Sequence, residues 1–219
     1  MSFQGFLDHL LKSATSSSGP ASGGAPMGNG PGSLLNADFG KGALAGGALG
    51  LLLGKNKKTR KLATYGGLAA LGVMAYKAYG DYKQKQGDST APQTVDRLSP
   101  PQAETHSAAI LTALVAAAKA DGHVDDRERA VIEGEFSRLP IGSDVQQWLQ
   151  RELAKPLDPV EVAASATTPE IASEMYLASL VAIDEQNFME RTYLDELARQ
   201  MKIDPDLKAS LEQTYRQQG

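Results

Sequence analysis

Two acidic corners hold the residues of this sequence best suited to chemistry. In Ala117–Glu128, AAKADGHVDDRE, an apolar run closes, the chain turns at Gly122, and a new helical pattern opens at Val124 to Asp126. Asp121, Asp125 and Glu128 therefore fall at one helix–turn–helix junction. A looser copy at Ile183–Leu197, IDEQNFMERTYLDEL, again ends an apolar run on an acid, Asp184, and enters the next element with Glu190. The spacing from Asp to Glu is seven in the first copy and six in the second. All-oxygen ligand sets suit Ca2+ or Mg2+ better than transition metals. Clustered carboxylates also repel one another unless a cation or a basic side chain compensates them. If the two corners meet, Asp121, Asp125, Glu128, Asp184 and Glu190 form a candidate divalent-cation site. The competing reading needs no metal, because acids at a helix start are stabilised by the helix dipole and by capping.

The first corner is not an EF-hand. Asp121, His123 and Asp125 occupy the first, third and fifth positions of such a loop, but Asp126 stands where glycine is needed and Ile132 where the bidentate glutamate belongs. His123 is read as solvent-facing. The chain has no cysteine, which removes disulfides, thiolate metal sites and cysteine nucleophiles. It also lacks a phosphate loop, a nucleophile elbow and an HExxH pair. A metal-assisted hydrolase built on the carboxylates is the enzymatic alternative, and a non-enzymatic binding role is the expectation.

Helices must position these corners. Ser99 before Pro100 and Pro101, Thr168 before Pro169 and Glu170, and Asp204 before Pro205 are helix-start signals. The apolar periodicity predicts helices at about 101–120, 125–139, 143–155, 158–165, 168–184, 188–202 and 204–217. No segment alternates with period two, so the domain at 99–219 is expected to be all-α. Trp148, Leu149, Leu153, Met175, Tyr176, Leu180, Phe188 and Tyr193 recur at helical spacing and are expected in its core.

Upstream, the composition changes. Phe3, Phe6, Leu7, Leu10 and Leu11 form one apolar stripe of a helix at 1–14, suited to docking on a partner or on the chain itself. The Gly-, Ser- and Pro-rich stretch at 15–38 reads as a flexible linker. In GALAGGALGLLLG, Gly42, Gly46, Gly50 and Gly54 stand four apart, the small-xxx-small pattern that lets membrane helices approach and self-associate. Lys55, Lys57, Lys58, Arg60 and Lys61 follow, then a second apolar run, Leu62 to Tyr79. Residues 39–82 are thus expected to be a glycine-rich membrane anchor, although eighteen helical residues reach only about 27 Å against a hydrocarbon core of roughly 30 Å. Residues 83–98 read as a tether.

Charge divides along the same line. Residues 1–85 carry ten basic and three acidic groups, and the remainder twelve and twenty-three. The acidic half would repel phosphates, so no nucleic-acid partner is expected. The basic run suits membrane topology or anionic headgroups, and its bias weakly favours a periplasmic C-terminal domain.

KADGHVDDRE followed by AIDEQNFMERTYLDELARQMKI resembles the tellurite-resistance (TerB-like) domain family over residues 101–219. The whole layout resembles the YebE-type inner-membrane proteins of unknown function. The resemblance implies a helical bundle with an acidic surface site able to bind divalent cations, which points to Asp121, Asp125, Glu128, Asp184 and Glu190. The expected function is that of a membrane-anchored binding or scaffold module of the bacterial inner membrane, linked to envelope stress, with an unidentified protein partner. The alternative is an oligomeric membrane structure built on the glycine repeat.

Overall fold

A computed structural model describes residues 2–13, 68–120, 134, 142–183 and 187–218, with residues 9–13, 68 and 218 described by backbone alone. The helices are α1 (Phe3–Ser13), α2 (Leu68–Lys85), α3 (Pro100–Ala118), α4 (Ser143–Ala154), α5 (Pro159–Ala163), α6 (Pro169–Ala182), α7 (Phe188–Gln200) and α8 (Pro205–Gln218). A 3-10 turn, Val95–Arg97, joins α2 to α3. No strand occurs among the described residues. The expected helix at 125–139 lies almost wholly outside them.

The centre of the bundle is the pair α3 and α6, which make the most extensive interhelical contact. Every residue from Ile171 to Val181 is buried, the signature of a helix surrounded on all sides. Thr168 caps α6 by accepting the Ile171 N–H at 3.2 Å, and Pro169 and Glu170 complete the start. Around this pair, α2 packs on α6 and α8, α4 on α3, and α7 on α5 and α6.

The run Leu62–Tyr79 behaves differently from a membrane span over the part that is described. Helix α2 begins at Leu68 and continues to Lys85. It buries a one-sided stripe, Leu71, Met74, Ala75 and Ala78, at the spacing of an amphipathic helix. Its other side carries Lys77 and Asp81, with Val73 51% exposed. Alanine and glycine made the run look apolar all round, whereas here they let α2 approach its neighbours closely. A Cβ on Gly72 would lie 2.6 Å from Asp96 Oδ1, so a larger residue there would force the Asp96 side chain to shift. No described helix is long and apolar enough to cross a membrane.

The expected tether at 83–98 is likewise packed. Helix α2 ends on Gly87 at φ 80°, with Asp88 N–H donating to Lys83 O at 2.9 Å and Gly87 N–H to Gln84 O at 3.0 Å, the two bonds of a Schellman cap. Pro92, Thr94 and Val95 are then buried, and Arg97 lies over the Tyr76 ring, 3.8 Å from its centroid. The composition of 83–98 is polar, but Pro92 and Val95 turn inward and Leu98 is half-buried.

Helix α1 docks on the bundle too, which resolves its stripe as self-packing. Phe6 and Leu7 are fully buried, and Phe3 meets the Trp148 ring edge-on at 5.1 Å. The Glu104 carboxylate of α3 accepts the N–H groups of Phe3 at 2.5 Å and Gln4 at 3.0 Å, closing the start of α1 with a charge that its dipole favours.

Candidate functional site

Helix α7 opens on Asn187, whose side chain accepts the Met189 N–H at 2.9 Å. Along the helix, Tyr193, Leu194, Leu197 and Ala198 face inward, and one turn back the same stripe reaches residue 190. That position is Glu190, 9% exposed, a carboxylate where the period asks for an apolar side chain. Phe188 and Met189 fall off the stripe and point outward, 70% and 61% exposed. Phe188 was expected in the core and is not there. Its spacing to Tyr193 is five residues, which on a helix separates the two by more than a quarter turn. The first turn of α7 is therefore inverted, with its acid inside and its large apolar side chains outside.

Glu190 is the only one of the five candidate ligands among the described residues. Asp121, Asp125, Glu128 and Asp184 lie outside them, as does His123. The two corners begin alike, however. Ala120 and Ile183, the residues preceding Asp121 and Asp184, are 4% and 2% exposed, so each acidic corner starts from a buried point at the end of α3 or α6. Among the described residues, no group of three or more His, Asp or Glu side chains gathers as a metal site.

A second polar centre went unseen in the sequence. Glu174, fully buried in α6, takes the Val95 N–H on Oε1 at 2.5 Å, and its Oε2 shares a hydrogen bond of 2.5 Å with His106 Nδ1 of α3. Burial holds the Glu174 carboxyl above its usual range, against the pull of His106 and the Val95 N–H. Thr94, fully buried, donates to Asp96 Oδ1 at 2.6 Å. One carboxyl thus ties α3, α6 and the 3-10 turn together, and that turn in turn seats Gly72 and Tyr76 of α2. The signal was available: Ile171, Leu177 and Ala178 surround Glu174 at three- and four-residue spacing, and a charge on an all-apolar helix demands a partner.

A groove beside α4 holds a half-buried charge. Lys119 Nζ donates to the carbonyl oxygens of Glu152, at 3.0 Å, and Lys155, a cation set against the end of α4. Lys155 Nζ bridges Glu152 and Glu161, both at 2.7 Å, and these two acids raise its pKa, Glu152 most. The adjoining cavity of about 150 Å³ is lined by Trp148 and Thr112 among others. These contacts join the turn after α4 to α3 and α5.

The chain matches the family model described as "Protein of unknown function (DUF533)" over residues 38–215. It belongs to that family. The DUF533 match takes in α2 through most of α8 and starts upstream of α2, so the glycine-rich stretch from residue 38 and the bundle form one family unit. A protein of Yersinia enterocolitica described as "Uncharacterized protein in ampR 5'region" is 37% identical over 108 residues, covering 49% of this chain and 78% of that protein. No solved structure matches the chain.

Proposed function

We propose that this DUF533 member is a non-enzymatic binding or scaffold module of the bacterial inner membrane, related to TerB-like domains, whose docking surface is the corner between α6 and α7. The inverted first turn of α7 carries the proposal. Exposing Phe188 and Met189 gives up hydrophobic stabilisation and sets two large apolar side chains beside the Glu190 carboxylate in sequence. Such an arrangement fits a surface that receives a partner or an ion. Asp184, four residues before Phe188, adds a second carboxylate to the corner in sequence. The glycine-rich stretch upstream of α2 and the run Lys55 to Lys61 support attachment to an anionic bilayer.

The test is calorimetric titration of the full chain with CaCl2 and MgCl2, repeated on Glu190→Gln and followed by NMR at Phe188 and Met189. Saturable binding that weakens at least about tenfold in Glu190→Gln, a change of about 1.4 kcal/mol, with shifts at both side chains, fits an ion-dependent docking surface. Absence of binding at millimolar ion overturns the cation part of the reading and leaves the apolar pair as the docking feature.

A further inference from the structure

Helices α1 and α2 bound the glycine-rich stretch, and both are fastened to the same body. On the N-terminal side, Phe6 and Leu7 are fully buried, Phe3 abuts Trp148, and the Glu104 carboxylate caps the helix. On the other side, Leu71, Met74, Ala75 and Ala78 are buried, and Ser210 of α8 donates to the Ala78 carbonyl at 3.2 Å. The two helices also touch each other. A chain that leaves a folded body at Ser13 and returns to it at Leu68 must leave and return on the same side of any bilayer, so it crosses an even number of times.

Two crossings require about 40 largely apolar residues, at roughly 20 for each helix. Between Ser13 and Leu68 the sequence offers Gly42–Gly54 and Leu62–Gly67, and the longer of these reaches only about 20 Å as a helix against a hydrocarbon core of roughly 30 Å. The second run loses its remainder, from Leu68 onward, to the bundle. We infer that the chain meets the bilayer from one side only, with α1, the bundle and α8 sharing a single face of the membrane. This rests on the membrane attachment proposed above and replaces a single span with the bundle on the far side.

The absence of cysteine makes the test direct. Single cysteines are introduced into the full chain as Ser2→Cys, Asn56→Cys and Gln217→Cys. Each variant is expressed in a bacterial host and labelled with a membrane-impermeant maleimide in right-side-out and in inverted vesicles. All three positions are expected to label in the same vesicle orientation. Ser2→Cys and Gln217→Cys labelling from opposite sides, or Asn56→Cys labelling from the side opposite the other two, overturns the inference while leaving membrane attachment intact. Flotation of the full chain with phosphatidylglycerol and with phosphatidylcholine vesicles is read separately. Binding is expected with the anionic vesicles. A chain that floats with neither overturns the attachment itself, and the one-sided arrangement with it.

Discussion

The Glu174 carboxyl does most to join separate elements through a single side chain. Its folded-state pKa lies above the ordinary 4.5 because burial penalises the charge. The folded chain therefore binds this proton more tightly than the unfolded chain. The group's contribution to stability is complete below the ordinary value and is lost as pH rises through the raised one. Acid does not loosen this centre through Glu174. Glu174→Gln keeps an acceptor for the Val95 N–H and removes the titration, so urea unfolding at a series of pH values should show a flatter decline above pH 4.5 than the wild type. Glu174→Leu strands the buried Val95 N–H and His106 Nδ1 and should cost about 1–3 kcal/mol. Phe188→Ser, at an exposed position, should change stability by no more than about 0.5 kcal/mol in the same assay. A loss of several kcal/mol would place Phe188 in the core after all.

Elements were legible where periodicity and caps agree. The expected starts at Ser99, Thr168 and Asp204 lie one residue before α3, α6 and α8, because Pro at the first turn and a polar cap each favour that geometry. What misled was small residues. In Leu68–Lys85, alanine and glycine raise apparent hydropathy while contributing close approach, and the polar face shows only once the stripe Leu71, Met74, Ala75, Ala78 is set against Lys77 and Asp81. The two glycines whose surroundings in α2 are known separate these effects. Gly72→Ala forces a Cβ into Asp96 and should destabilise by about 1–3 kcal/mol, despite alanine's better helix propensity. Gly80→Ala meets only Pro92 at an ordinary 3.9 Å and should stabilise by up to about 1 kcal/mol. Thermal unfolding of the pair reads both signs; Gly72→Ala more stable than wild type would mean that the 3-10 turn does not sit against α2.

At the scale of the molecule, the described residues form one helical body that begins earlier in the chain than composition suggests. The candidate site was legible only in part: Asp121, Asp125, Glu128, Asp184 and Glu190 were drawn from charge and turn pattern, which mark a corner but carry no information on whether two corners meet. Pattern also placed Phe188 inside and passed over His106 and Glu174, since pairing across α3 and α6 is a long-range fact with no local period. The DUF533 match from residue 38 onward agrees with a unit that is wider than the domain at 99–219. Helix α2 belongs to the bundle, and hydrogen exchange of the full chain, with and without anionic vesicles, tests this. Amides from Leu71 to Ala78 are expected to exchange as slowly as those of α3 and α6 in both conditions. Fast exchange without vesicles that slows only when they are added would contradict it, returning α2 to the membrane.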